Sequence, residues 1–399
     1  MAIINSYHFE TGLALNTHKR YQPNKAATCI ASILFAFTVQ STYANNCETF
    51  GENITQAKTE HPPAAPGSYA KRKDVQAFAQ QVSTCYQVDP QWVENTLTKA
   101  KYQTSSAKFI IPKPAGKRNW RKFKAPFLQA DRVQAGILFW KVNTHLLAQA
   151  EQVYGVEPEA IIGILGVETI YGRYTGDFRI IDALSTLAFD FPAAAKRNRT
   201  DFFAKELAQY LAFCYKNGVD PLSIKGSYAG AMGMPQFMPS SLLTYGVDFD
   251  GDGHIDLHNS NADIIGSVAN YLAQHGWQKG LPAVLPVNVD KISNNNLKIL
   301  LEPDITPTFT LQQMADHGAQ VDLGEYANTF VESSLFSLIN LENSDDGTTD
   351  YIAGTQNFYV ITRYNRSSFY AATVEELGQS VKKHFKNRAH RSKWRPGEK

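Results

Sequence analysis

The stretch IIGILGVETIYG at residues 161–172 constrains this chain more than any other. Ile161, Ile164 and Leu165 recur at helical spacing. Glu168 follows them at seven, four and three residues, so it shares their apolar face and does not lie on the wet one. A helix of this kind must be packed into a core, and a carboxylate carried in with it loses hydration. Lost hydration disfavours the charged form and raises the pKa. A general acid working near neutrality needs that property. The bland alternative is a structural glutamate paired with Arg173 or Arg179, both close in sequence.

The rest of the chain can supply such a core. It has 399 residues, 43% of them hydrophobic, enough for one large domain or two to three smaller ones. Its formal net charge of +2 is unevenly spread. The first 44 residues and the last 18 are both basic, which leaves the middle near −7 and argues against a nucleic-acid partner. Residues 26–39 form a short apolar run behind Lys19, Arg20 and Lys25, and Ala44 offers a small residue for cleavage. This pattern predicts a secretory signal over 1–44, with an uncleaved anchor as the alternative. Neither Cys29 nor Cys47 stands in a lipoprotein-processing context. Cleavage would leave Cys47, Cys85 and Cys214, an odd set with neither framework nor metal spacing. A Cys47–Cys85 bridge is open in an oxidising compartment, but sequence does not decide it.

Residues 45–68 read as a polar linker without a core pattern, and helices dominate from Asp74. Val75, Phe78, Ala79 and Val82 mark one face, and Asp89 caps a second helix. Residues 104–118 read as loop, 136–153 as helix, and Glu157-Pro158 opens the Glu168 helix. Asp182 starts an apolar helix, where it is either a cap or a second catalytic carboxylate. A basic loop, 193–199, precedes a helix over 202–215. Residues 225–240 hold Gly226, Gly230, Gly233, Pro235, Gln236 and Pro239, which suits a loop whose backbone approaches something closely, or a tight structural turn. A helix spans 262–276. Short runs at 283–289, 297–301 and 334–341 then predict strands, with a turn at 343–349. Helix returns over 365–381, and residues 382–399 form a basic tail, either solvated or touching an anionic polymer or membrane.

Asp248, Asp250 and Asp252 occupy positions one, three and five of an EF-hand-like loop over 248–259. Gly253 stands at the sharp turn, His254 would give its carbonyl, and Ile255 is the apolar residue that follows. Alternating hard oxygen donors suit Ca²⁺. Asn259 replaces the usual bidentate glutamate, which points to weak or structural binding. The alternative is an Asp/Gly-rich turn without metal.

Together these segments resemble the membrane-bound lytic murein transglycosylase B family. The matching pieces are Gly166–Gly172, Arg179–Leu187, Lys225–Ser241, Val247–Ile255, Gly266–Tyr271 and Asn357–Asn365, in order over roughly residues 70–380. The resemblance implies an α+β, mainly α-helical fold: a lysozyme-like catalytic core over 151–280, a helical domain over 69–150 joined by the C-terminal helix, and a small β-rich domain over 281–356. Residues 357–381 would return to the groove and form that helix. Matched residue by residue, Glu168 is the catalytic acid/base. Ser227, Gln236, Tyr271, Tyr364, Asn365 and Tyr370 line the sugar groove, joined by Phe123 where the family often has tyrosine. Asp248, Asp250, Asp252, His254 and Asn259 fall on its calcium loop.

Ordinary glycosidases use two carboxylates. The resemblance implies one, which protonates the leaving oxygen between N-acetylmuramic acid and N-acetylglucosamine and then takes the proton of the muramic C6 hydroxyl. The product is a 1,6-anhydro sugar. The expected partners are peptidoglycan glycan strands and other cell-wall enzymes, and the expected location is the periplasm, with association to either membrane open. Two other functions compete: a muramidase that admits water, and a non-catalytic, calcium-stabilised wall-binding protein.

Overall fold

A computed structural model describes residues 47, 50–60, 68–112 and 116–393. The expected leader over 1–44, with Cys29, and the last six residues lie outside that set. The chain opens with α1 (Phe50–Glu60), α2 (Lys73–Tyr86), α3 (Pro90–Leu97), α4 (Thr104–Phe109) and α5 (Trp120–Lys124). Next come α6 (Ala130–Val142), α7 (Thr144–Tyr154) and α8 (Pro158–Thr169). The strand β1 (Phe178–Arg179) leads into α9 (Ile180–Phe189) and α10 (Thr200–Asn217). Then β2 (Lys225–Gly226), α11 (Pro239–Tyr245) and α12 (Asn261–Gln274) follow.

The apolar helix α8 is the hub. Ile161, Ile162, Ile164 and Leu165 are fully buried, and α16 (Ser368–Lys393), α6, α7 and α12 pack around it. A fully buried helix needs no polar face, which is why α8 is apolar nearly all round. On the other side α9 and α10 pack together, with α1, α2 and α11 against α10. Asp89 accepts the Gln91 N–H at 3.0 Å and Pro90 opens α3, as the capping pattern predicted.

The β-rich part holds β3 (Val284–Asn288), β4 (Gln320–Val321), β5 (Ser337–Asn343) and β6 (Thr348–Gly354), with α13 (Asn294–Leu301) and α14 (Leu311–Asp316) among them. The sheet is antiparallel in the order β4-β3-β6-β5. Side chains alternate across β5, so Leu338 joins a small separate core with Leu285, Leu300, Met314 and Phe336. Ile339 and Leu341 face the main core. From this sheet α15 (Gln356–Tyr364) brings the chain back to the site, and α16 runs from it.

Five readings need correction. The linker over 45–68 contains α1, whose Phe50 and Ile54 are buried four residues apart, too sparse a pattern to read. Phe50 packs on Phe78 and Tyr86, and a Cys47–Cys85 disulfide fastens the segment. The loop over 104–118 includes α4, a helix too short to show a period. The helix over 136–153 belongs to two helices, α6 and α7, parted at Asn143, whose amide donates to the Phe139 carbonyl. Residues 297–301 are not a strand but part of α13, capped by Ser293; Leu300 alone is fully buried there, and a five-residue apolar run does not distinguish the two periods. The basic tail is helical through Lys393: Lys382 pairs with Glu159 and Phe385 stacks on Trp140 at 5.1 Å. Among the described residues, no helix is long and apolar enough to cross a membrane.

Candidate active site

Glu168 lies in the last turn of α8, which stops one residue later instead of continuing through Gly172. Ile170 and Tyr171 take left-handed backbone, φ 51° and 54°, which a β-branched residue rarely adopts. Contacts hold this turn in place. The Tyr171 N–H donates to the Leu165 carbonyl at 3.2 Å, and the Thr169 hydroxyl donates to the Met234 carbonyl at 2.9 Å. Arg132 donates to the Gly166 carbonyl at 2.8 Å, occupying one of the carbonyls that a helix end leaves unpaired.

Glu168 is half-buried, and its carboxylate accepts the Tyr370 hydroxyl at 2.7 Å. Burial pushes its pKa up to about 7, against the opposing pull of that hydrogen bond. No other carboxylate contributes. The pairing alternative fails, because Arg173 faces Asp131 at 3.9 Å and Arg179 binds Asp182. Asp182 does not cap α9: it sits in the first turn, buried, with its carboxylate taken up by Arg179 at 2.7 and 2.8 Å and the Lys101 N–H at 2.8 Å. A raised pKa does not single out Glu168. Glu206 and Glu375 are also pushed to about 7 by burial, but Glu206 receives the backbone and hydroxyl of Ser240, and Glu375 receives Gln379.

The glycine-rich segment wraps beside the Glu168 turn. A side chain on Gly226 would meet the Ala231 carbonyl at 2.1 Å, and one on Gly233 the Leu257 carbonyl at 2.3 Å. What the backbone approaches closely is its own chain. The Ser227 hydroxyl is buried and accepts the Ala231 N–H at 2.9 Å, closing the first turn. Gln236 has φ 54°, and its amide donates to Thr175 and Gly233 carbonyls at 3.0 and 2.9 Å. Its buried carbonyl oxygen has no partner among the described residues. Such an acceptor costs about 1–3 kcal/mol unless something fills it.

Aromatic residues brace the other side. The Tyr364 hydroxyl donates to the Pro235 carbonyl and the Tyr271 hydroxyl to the Arg363 carbonyl, each at 2.6 Å. Their rings lie 4.8 Å apart, both against Phe237. Asn365 follows in extended backbone, half-buried. Phe123 packs on Phe127 and on Phe369, the neighbour of Tyr370, at 5.6 and 5.5 Å.

In the acidic loop, one ligand oxygen from each of Asp248, Asp250 and Asp252 lies within 4.8 Å of the others, a donor set that fits a hard cation. The Asp248 carboxylate also accepts the Gly251, Asp252 and Gly253 N–H groups, and Asp252 accepts the N–H of His254. At the end of the loop, the Asn259 amide nitrogen donates to Asp256 at 2.9 Å. The carboxylate that braces the loop is Asp263, missed by counting EF-hand positions. It is buried in the first turn of α12 and accepts the Phe249 and Asp256 N–H groups; burial raises its pKa, and the negative charges of Asp250 and Asp248 add to the rise. The loop joins the site through the Met234 N–H, which donates to the Leu257 carbonyl at 2.8 Å.

Residues 70–379 match the family model of the transglycosylase SLT domain. Membrane-bound lytic murein transglycosylase B of Escherichia coli K12 is 38% identical over 327 residues, 79% of this chain and 84% of that one. The crystal structure of soluble lytic transglycosylase SltB1 from Pseudomonas aeruginosa is 38% identical with a TM-score of 0.69, covering 78% of this chain and 98% of the other. The E. coli lytic transglycosylase Slt35, solved in complex with calcium, is 36% identical with a TM-score of 0.68, covering 80% and 97%.

Proposed function

We propose, from the premise that this chain belongs to the transglycosylase SLT family and is a peptidoglycan lytic transglycosylase, that Glu168 alone carries both proton transfers of the reaction. The observation that supports this is a carboxyl near pKa 7, hydrogen-bonded to Tyr370, with no second carboxylate acting on it. Protonated Glu168 donates to the glycosidic oxygen between N-acetylmuramic acid and N-acetylglucosamine, and the bond from that oxygen to muramic C1 breaks. The substrate's acetamido oxygen eases the positive charge at C1. Glu168, now ionised and held by Tyr370, takes the proton of the muramic C6 hydroxyl while O6 bonds to C1. Its starting protonation state is restored, a 1,6-anhydro end is left, and no water is consumed. A pKa near the working pH serves both halves of this cycle.

Around it, Gln236 shapes the sugar groove by tying the glycine-rich loop to the Thr175 carbonyl. Asn365 orients the acetamido or hydroxymethyl group. Tyr271, Tyr364 and Phe123 form apolar walls, and Ser227 keeps the glycine-rich loop in shape. Asp248, Asp250 and Asp252 would hold Ca²⁺, the His254 carbonyl completing the set. Bound there, the ion supplies positive charge that neutralises the acidic loop and takes no part in the chemistry. The leader and the substrate together support a periplasmic location.

Mass spectrometry of digested purified sacculi tests the reaction. Anhydromuramyl ends are expected; reducing ends alone would establish a hydrolytic muramidase. Glycan cleavage that persists in Glu168→Gln would remove Glu168 from the mechanism.

A further inference from the structure

We propose that Phe109, Phe178 and Tyr228 form an aromatic platform that takes a sugar ring of the glycan strand away from the scissile bond, a distal subsite resting on the transglycosylase reading above. Phe109 is the last residue of α4 and is 51% exposed. Its ring lies 6.4 Å from Phe178 and 5.5 Å from Tyr228, with interplanar angles of 80° and 76°. Phe178 and Tyr228 are themselves half-buried. Three segments far apart in sequence thus converge to hold one large apolar ring half in water.

The platform is continuous with the site. Phe178 pairs in register with Gly226, and Tyr228 directly follows Ser227 in the glycine-rich loop. Further along the same two stretches, Thr169 binds Met234 and Gln236 binds Thr175. Residues 168–178 and 225–236 therefore form one strip, with Glu168 at one end and the platform at the other. Tyr174, also 51% exposed, lies on that strip. A polymer cleaved at Glu168 has further rings to lay along it.

The chemistry fits a pyranose, which presents an apolar C–H face to an aromatic ring and a rim of hydroxyls to its surroundings. Lys108 and Lys225 are exposed next in sequence to Phe109 and Gly226, outnumbering the one exposed acid, Asp177, next to Phe178, and they can meet the carboxylates of peptide stems. This cationic rim and the small patch favour a decorated sugar over an apolar protein surface.

The test is the dependence of KM on strand length in the full enzyme, comparing a tetrasaccharide with long strands. Phe109→Ala is expected to raise KM for long strands about 5–10-fold, the scale of one lost aromatic contact. Its kcat, and both constants for the tetrasaccharide, should remain at wild-type values, and Phe109→Trp should restore the long-strand KM. Wild-type constants for Phe109→Ala on both substrates would overturn the proposal and leave the patch to a protein partner. Equal losses on both substrates with a lowered Tm would also overturn it, making Phe109 a packing residue. A wild-type enzyme that made no anhydro product from either substrate would sink the underlying mechanism, and the platform with it.

Discussion

Replacing Glu168 with Gln should abolish cleavage and yet stabilise the protein, by an amount set by pH. Burial raises the Glu168 pKa from an ordinary 4.5 to about 7, so the folded protein holds this proton more tightly than the unfolded chain does. Below pH 4.5 both states are protonated and the folded state bears no penalty. As pH climbs from the unfolded value to the folded one, the unfolded chain sheds this proton while the folded protein still holds it, so the fold weakens until Glu168 too has ionised. At about 1.4 kcal/mol per pKa unit, the loss approaches 3 kcal/mol above pH 8. Glutamine keeps the shape and can still accept the Tyr370 hydroxyl, but it never ionises. The wild-type protein also carries Glu206 and Glu375 with raised pKa values, and these cancel in the comparison because the variant keeps them. Urea or thermal unfolding of both proteins from pH 4 to pH 9 is the assay. The stability difference should be near zero at pH 4, grow between about 4.5 and 7, and level off above, with Tm higher by several degrees in the variant at pH 8. A difference that did not change with pH would refute the reasoning, because it would mean that Glu168 is solvated like any surface carboxylate.

Removing the Tyr370 hydroxyl with Tyr370→Phe takes away a bond that favours the ionised carboxylate, so the alkaline limb of the kcat profile should move up by about one pH unit; an unmoved limb would disconnect the two residues. Calcium should raise Tm and chelator should lower it, and Asp250→Asn or Asp263→Asn should abolish most of that response while Asn259→Ala retains it. An Asn259→Ala enzyme that lost the response would restore Asn259 to the ligand set. Breaking the Cys47–Cys85 disulfide with Cys85→Ser should cost about 2–4 kcal/mol and make α1 the first site of proteolysis; wild-type protease resistance would show that α1 packing alone suffices. Asp182→Asn should lower Tm through its buried ion pair with Arg179 without moving the pH profile, and a shifted profile would return it to the chemistry.

The helix around Glu168 and the face on which its carboxylate lies were legible from residue order, because both follow from a period of 3.6 residues within one short window. So were the acidic loop and the glycine-rich segment, where backbone needs are written into residue type. Local pattern misled where elements were short or sparsely apolar: α1 hides behind two buried residues, and α13 reads equally well as a strand. Sequence also left open who neighbours whom. Tyr370 reaches Glu168 across 202 residues, Asp182 is claimed by Arg179 and Lys101, and Asp263 braces a loop whose spacing rule ends before it. The first arises only when α16 closes on α8, the second when α9 packs beside the segment that follows α3, and the third when α12 folds back on the acidic loop. A pKa near 7 is therefore a property of the packed site, since desolvation and a donated hydrogen bond both come from residues far away along the chain.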